Sequence, residues 1–265
     1  MQVSTCVKDL AAVLNKARQR QGLLLFLDYD GTLVEIAPRP ELARPSPELL
    51  DSLGRLARLP KCEVVVVSGR PLKDLRALLP VPALHYLGCH GGEGLIGGKP
   101  WSPKGLLPDP EGWRKLKNGM VSCLAGLKGW WLESKPLGFA LHYREAEPAE
   151  EPLIIRETRP WLDRIGKAGH WQILKGKKVI EILPQGVTKG AAIQEILGFS
   201  GFCELFPVYI GDDVTDESAF QILKNKGLTI KVGLGVATAA SYSLSQPTAV
   251  IQLLTKLAEP EEAKK

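Results

Sequence analysis

No stretch of this chain is long and apolar enough to cross a bilayer. The apolar runs Leu23–Leu27 and Val64–Val67 fall far short of the ~18 residues a span needs. No positively charged segment followed by an apolar run opens the sequence, so no targeting signal is expected. The five cysteines, Cys6, Cys62, Cys89, Cys123 and Cys203, are scattered, odd in number and without a CxxC pair. That argues against a disulfide framework or a cysteine-rich metal site, and for reduced thiols in the cytoplasm. No long basic run occurs: 34 Lys and Arg against 29 Asp and Glu leave a net charge of +5. Neither nucleic acid nor membrane is therefore an expected partner. The Gly-x-Ser-x-Gly elbow of serine hydrolases is missing, and no internal repeat is visible. What is there is ordinary: 265 residues, 45% hydrophobic and 24% charged, enough for a sizeable core and about two domains at roughly 150 residues each.

The hydrophobic pattern changes style along the chain. Val3–Arg18 reads as an amphipathic helix ended by Gly22, and Leu23–Leu27 as a parallel strand buried on both faces. A helix over Pro47–Leu59 with Ser46 as N-cap, a strand over Glu63–Val67, a helix over Pro71–Leu78 and a strand over Ala83–Leu87 follow. Alternating strands and helices predict a parallel α/β sheet. Gly91–Gly105 is rich in Gly and Pro and reads as hairpin or loop. Then come a helix around Glu111–Leu127, a hairpin of Trp130–Glu133 and Gly138–Arg144, a helix over Pro152–Ala168, and a hairpin of His170–Leu174 and Lys178–Leu183. The first style returns with helix Lys189–Leu197, strand Val208–Ile210, helix Asp216–Lys224 and strand Leu228–Val232. Residues 1–105 and 185–265 are expected to form one domain, with 106–184 inserted as a second.

Four segments carry chemistry. Asp28-Tyr29-Asp30-Gly31-Thr32 stands at the end of the first strand, where open parallel sheets bind ligands. Ser68-Gly69-Arg70 ends the second, offering a hydroxyl and backbone N–H groups that suit a phosphoryl oxygen. Lys189 lies at a helix start, where a cation opposes the helix dipole and calls for a compensating anion. Asp212, Asp213, Asp216 and Glu217 place four acids within six residues. Asp216 and Glu217 fit an acidic first helical turn, whereas Asp212 and Asp213 fit a divalent cation better. With Asp28 they offer hard oxygen donors without nitrogen or sulfur, which suits Mg²⁺, while the segment Asp28–Thr32 lacks the later ligands of an EF-hand.

The order Asp28-x-Asp30, Ser68, Lys189, Gly211-Asp212-Asp213 resembles the four motifs of the haloacid-dehalogenase (HAD) superfamily, and the insertion resembles its C2-type α/β cap. A finer set is similar to trehalose-6-phosphate phosphatases. It comprises Gly88-Cys89-His90-Gly91-Gly92-Glu93, Leu141-His142-Tyr143-Arg144, Lys177 through Glu181 to Pro184, and Gly211 through Glu217. Ile182-Leu183 departs from the frequent Val-Arg before that proline.

The resemblance implies a HAD-like Rossmannoid core and Mg²⁺-dependent hydrolysis of a sugar phosphate through an aspartyl-phosphate. Asp28 would be the nucleophile, Asp30 the acid and base, and Lys189 the neutralising cation, with Ser68 and Gly69 binding phosphoryl oxygens. Asp28, the Asp30 carbonyl and Asp212 would hold the metal, with Asp213 and Asp216 orienting its waters or Lys189. His90, Gly91, Glu93, Arg144, Lys177 and Glu181 would contact the substrate. His142 reads as structural, facing away from Arg144, and Trp130, Trp131 and Trp171 as core of the inserted domain. Sucrose-phosphate, mannosyl-3-phosphoglycerate and glucosylglycerol-phosphate remain alternative substrates, a non-catalytic sugar-phosphate sensor and a phosphomutase alternative functions, and a trehalose-6-phosphate synthase a functional partner.

Overall fold

The structure is a computed structural model and describes residues 5–106, 109–176, 178–233 and 237–259. Two compact units divide the chain: Met1–Pro103 with Thr188–Lys265, and Lys104–Val187.

The first unit opens with α1 (Val7–Gln21), β1 (Leu23–Asp28), α2 (Pro47–Leu56), β2 (Cys62–Val67), α3 (Leu72–Leu78), β3 (His85–Gly88), β4 (Glu93–Ile96) and β5 (Lys99–Trp101). The second unit holds α4 (Pro110–Cys123), β6 (Trp131–Lys135), β7 (Gly138–His142), α5 (Glu151–Ala168), β8 (Trp171–Gly176) and β9 (Val179–Pro184). The first then resumes with α6 (Lys189–Ile196), β10 (Phe206–Gly211), α7 (Glu217–Leu223), β11 (Leu228–Val232), β12 (Tyr242–Leu244) and α8 (Pro247–Ala258).

Eight strands form the sheet of the first unit in the order β12-β11-β10-β1-β2-β3-β4-β5. The first six run parallel, while β4 and β5 add an antiparallel edge, the hairpin of the Gly- and Pro-rich segment. Side chains alternate between the two faces of a strand. Leu23, Leu25 and Leu27 of β1 pack with α1, α2 and α8, through Leu10, Leu14, Leu49, Leu53, Val250 and Leu254. Leu24 and Phe26 pack with Ile193 and Ile196 of α6 and Phe220 and Leu223 of α7. Fully burying each such side chain contributes about 1.5–3 kcal/mol, so both faces of β1 are committed. This is why it reads as an unbroken apolar run. By the same parity Asp28 faces the side carrying α6 and α7, the helices that begin at or next to Lys189 and Asp216.

Local signals fix several starts. Ser46 Oγ accepts from Leu49 N at 3.2 Å before Pro47, and Thr188 Oγ1 accepts from Ala191 N at 3.0 Å at the start of α6. Pro71, expected as the first helical residue, is instead the N-cap of α3. β12 and α8 were not assigned from the sequence. A three-residue strand carries little periodicity, and α8 has no side-chain cap.

The second unit is an antiparallel sheet in the order β6-β7-β9-β8. One face carries Phe139, Leu141, Ile180 and Ile182, packed with Met120 of α4, Leu124 at its C-cap, and Ile154, Leu162 and Ile165 of α5. Trp171 belongs to this core and Trp130 packs against it, but Trp131 does not; its side of the sheet is the opposite one, and it is 36% exposed. The reading of Trp131 as core is thereby corrected. His142, read as purely structural, stands across from Trp131 in the register on that same polar side.

Candidate active site

β1 lies between β10 and β2 in the sheet, and the chain leaves it for β2 and β3 on one side and for β10 and β11 on the other. The point where crossovers diverge leaves a crevice at the C-terminal strand ends. Leu27 pairs with Ile210, and Asp28 with Val67. Hence Asp28, the Ser68 turn and the Asp212 loop are neighbours, although they are separated widely in sequence.

Lys189 joins them. Its Nζ donates to Asp28 Oδ1 at 2.6 Å and to Asp216 Oδ1 at 2.7 Å. The cation at the helix start has its compensating anions within the protein. All three side chains are buried, Asp216 completely. Tyr209 OH donates to the same Asp216 oxygen at 2.6 Å, and Asp212 N and Asp213 N donate to Oδ2 at 2.9 and 2.8 Å. A carboxylate offers about four acceptor positions, so Asp216 is saturated. Burial raises the Asp28 carboxyl well above the usual range, Lys189 opposes this, and the Asp216 and Asp212 charges add to it. Burial also works against the charges of Lys189 and Asp216, but their mutual attraction prevails, raising the lysine and lowering the aspartate.

Oxygen atoms of Asp28, Asp212 and Asp216 lie within 4.8 Å of one another, a spacing that could hold a metal ion. The hydrogen bonds sort the three. Asp216 has no acceptor position left, whereas Asp28 Oδ2 is buried and accepts no hydrogen bond among the described residues. An ionised oxygen left so costs about 1–3 kcal/mol or more unless something occupies it. Asp212 is held against the chain after β1. Thr32 Oγ1 donates to its Oδ1 at 3.4 Å, and a Cβ on Gly31, whose φ is +84°, would stand 2.1 Å from its Oδ2. Only glycine fits there. The set offers hard oxygens alone, which suits a hard divalent cation. Burial, then the Asp216 charge, push the Asp212 carboxyl up to about 6.

Asp30 stands apart from the cluster. Its carboxylate takes two parallel bonds from Arg70, Nε to Oδ2 at 2.7 Å and Nη2 to Oδ1 at 2.6 Å. Arg70 also donates to Pro40 O at 2.9 Å and lies over the Tyr29 ring. Ser68 is buried, with Oγ accepting from Arg70 N at 3.1 Å. His90 N donates to Ser68 O and Cys89 N to Arg70 O, which ties the β3–β4 turn to the Ser68 turn. The His90 ring presses on Gly69, where a Cβ would stand 2.5 Å from Nε2. Gly91 (φ +91°) packs on Ala192 of α6 in the same way. Glu93 points elsewhere: its Oε1 accepts from Leu72 N at the start of α3 at 2.8 Å and from Cys89 Sγ at 3.4 Å. Asp213 is exposed, and its Oδ1 accepts from Val214 N. The partners found on Lys189 are Asp28 and Asp216, and Asp213 is not among them.

In the second unit Glu181 is buried against Lys135 Nζ at 2.7 Å, and Arg144 is exposed in the turn after β7. Lys177 lies outside the described residues. The sequence reading missed four residues: Lys135, Arg70 as the partner of Asp30, Tyr209, and Lys231, whose buried Nζ donates to Asp212 O. The alternation Glu133-x-Lys135 held a signal for the first. Nothing local distinguishes Tyr209 within the apolar run Val208–Ile210, because its partner Asp216 is met only when β10 turns back through the loop.

A sheet of this order, with acids and a lysine gathered at its C-terminal strand ends, is the arrangement of the haloacid-dehalogenase fold. A model of the trehalose-phosphatase family matches residues 26–248. The chain is 36% identical over 258 residues to a bifunctional trehalose-6-phosphate synthase/phosphatase of Thermoproteus tenax, covering 96% of this chain and 34% of that one, so it spans about a third of that relative. It is 35% identical over 225 residues to the trehalose-6-phosphate phosphatase of Escherichia coli, covering 83% of this chain and 80% of that one. The C-terminal domain of a trehalose-6-phosphate phosphatase from C. albicans superposes with a TM-score of 0.85 at 25% identity, over 97% of this chain and 98% of that one. The chain belongs to the trehalose-phosphatase family.

Proposed function

We propose that the chain hydrolyses trehalose 6-phosphate to trehalose and phosphate, with Asp28 as nucleophile and Mg²⁺ as cofactor. The observation that carries this reading is the buried bridge Asp28–Lys189–Asp216, beside an Asp28 oxygen that has no hydrogen-bond donor among the described residues. A phosphomonoester dianion repels a carboxylate, so a nucleophilic aspartate needs positive charge on the phosphoryl group. Lys189 supplies one such charge, and a metal held by Asp28, Asp212 and the Asp30 carbonyl would supply the other. Asp216, saturated by donors, fixes Lys189 and the Asp212–Asp213 backbone rather than binding the ion.

An Asp28 oxygen attacks phosphorus and the bond to the sugar oxygen breaks. Asp30, once its carboxylate has parted from Arg70 and taken up a proton from solvent, gives that proton to the oxygen, leaving an aspartyl-phosphate. Asp30 then takes a proton from the water that attacks phosphorus, which restores Asp28 and frees phosphate. In the resting site Arg70 holds the Asp30 carboxylate through its paired bonds, and has to release it before Asp30 can carry the proton. Ser68 Oγ–H and the N–H groups near Gly69 bind phosphoryl oxygens, with His90 and Gly91 bracing that turn. We assign sugar recognition to the inserted unit, chiefly to Lys135 and Glu181, with Arg144 and Lys177 as further contacts. A functional pairing with a synthase has a parallel in the Thermoproteus relative, whose name joins both activities.

Phosphate release from a panel of sugar phosphates, with and without Mg²⁺, tests this. Trehalose 6-phosphate is expected to lead the panel, and EDTA to stop turnover reversibly. A preference for sucrose-phosphate, mannosyl-3-phosphoglycerate or glucosylglycerol-phosphate would replace the substrate, and EDTA-resistant turnover would remove the metal.

Thermal denaturation supplies a pH test. The folded Asp212 carboxyl sits near 6, above its ordinary 3.8. In the metal-free protein its contribution to stability is complete below pH 3.8 and is lost as pH rises through 6. A divalent ion replaces the proton above that range. The rise in Tm on adding Mg²⁺ should therefore be small at pH 5 and large at pH 8, and should shrink in Asp212→Asn. An increment independent of pH would place the ion elsewhere.

A further inference from the structure

The polar face of the inserted sheet holds an aromatic group that the proposed reaction does not use. In the register Trp131 lies opposite His142 and Glu133 opposite Ala140, while Ala140 lies opposite Glu181 on its other side. Trp131, Glu133, Lys135, His142 and Glu181 therefore share one face. Among the described residues Trp131 is the one aromatic side chain among the exposed large hydrophobics. It is held in place from behind. The His142 ring stacks on the indole with centroids 4.0 Å apart and planes 7° apart, and His142 Nε2 pairs with Glu133 Oε2 at 2.8 Å. β6 is the edge strand, so no strand among the described residues pairs beyond Trp131 on the side turned away from His142. Burial works against the Glu133 charge, but the His142 hydrogen bond and the Lys135 ammonium outweigh it and hold the carboxyl below its usual range.

A rigid indole beside two carboxylates and an ammonium suits a neutral polyol. The apolar C–H face of a pyranose ring packs on an aromatic face, and its hydroxyls take charge-assisted hydrogen bonds. An anion would meet Glu133 and Glu181. Trp131 and Lys135 lie four residues apart on β6, about 13 Å along a strand, which is more than a single pyranose ring covers. We propose that Trp131, braced by His142 and Glu133, is the stacking platform for one ring of a disaccharide, the Lys135–Glu181 pair serves the other ring, and preference for a disaccharide phosphate over a monosaccharide phosphate resides in Trp131. This rests on the proposed sugar-phosphate reading.

The test compares wild type, Trp131→Ala and Trp131→Phe on trehalose 6-phosphate and glucose 6-phosphate. Trp131→Ala should lower kcat/KM for the disaccharide phosphate about tenfold or more, mainly through KM, as expected for a lost stacking contact. The monosaccharide phosphate should be little affected, and Trp131→Phe should retain most of the preference. A parallel fall on both substrates, or on neither, overturns the proposal. Wild type failing on trehalose 6-phosphate would count against the proposed reaction instead. Calorimetry with free trehalose then decides the platform by itself: binding by wild type that Trp131→Ala loses supports it, and absent or equal binding overturns it.

Discussion

Asp28→Asn is expected to lower phosphate release by a factor on the order of 10⁴ or more, as removal of a covalent nucleophile does in other hydrolases. The substitution keeps the shape of the side chain and exchanges a carboxylate for an amide that cannot form the phosphoryl intermediate. Stability should move the other way. Burial and two neighbouring acids raise the Asp28 carboxyl well above its usual range, so in the absence of metal its ionisation works against the fold. Neutralising it removes one of three crowded acids and leaves Lys189 paired with Asp216. An unchanged Tm, or a rise of about 2–4 °C per kcal/mol gained, is the expected result in metal-free buffer. Sites built for chemistry commonly give up stability in this way. Circular dichroism melts and a phosphate assay read both effects. Substantial turnover by a well-folded Asp28→Asn protein would mean that another group attacks phosphorus.

The parallel sheet and its two layers of helices were legible because burial on both faces leaves unbroken apolar runs such as Leu23–Leu27 and Val64–Val67. The motif residues were legible because each stands where such a run stops. Pairings across the fold were not. Arg70 follows Ser68 and Gly69 directly, yet its partner Asp30 lies forty residues earlier. Lys135 finds Glu181 only because β7 lies between β6 and β9. Trp131 reads as core in the sequence because a tryptophan in a hairpin usually is. Its parity relative to Phe139 and Leu141 depends on the register, and the β6–β7 turn sets that register. The acidic run 212–217 was legible as a group but not in its division of labour. Whether an aspartate there takes a metal or backbone N–H groups depends on how tightly the loop turns back, and the capping box of Asp213 with Asp216 makes that turn.

Lys189→Met should cost both activity and fold. Lys189 separates two buried carboxylates and bonds to each at under 3 Å. Its own pKa is raised above the ordinary 10.5 because both anions outweigh the cost of burial. The stability it contributes is thus complete below that ordinary value and is lost only at more alkaline pH, so the bridge is intact through the neutral range. Methionine fills the space and removes the charge, leaving Asp28 and Asp216 facing each other. Breaking a buried ion pair from one side costs about 3–5 kcal/mol, which is roughly 6–20 °C in Tm for a chain of this size. The loss should depend on pH with a definite sign. Without the cation the Asp28 carboxyl is raised further and the Asp216 carboxyl loses the attraction that lowers it; protonating one of them relieves the repulsion, so the deficit at pH 8 should shrink towards pH 5. Adding Asp216→Asn to Lys189→Met should recover much of the stability at pH 8, because the two sites share one interaction. It should recover no activity, since the phosphoryl group still lacks its neutralising cation. A Lys189→Met protein as stable as wild type at pH 8 would show that the two aspartates are not ionised together, and the charge arrangement on which the nucleophile depends would then be wrong.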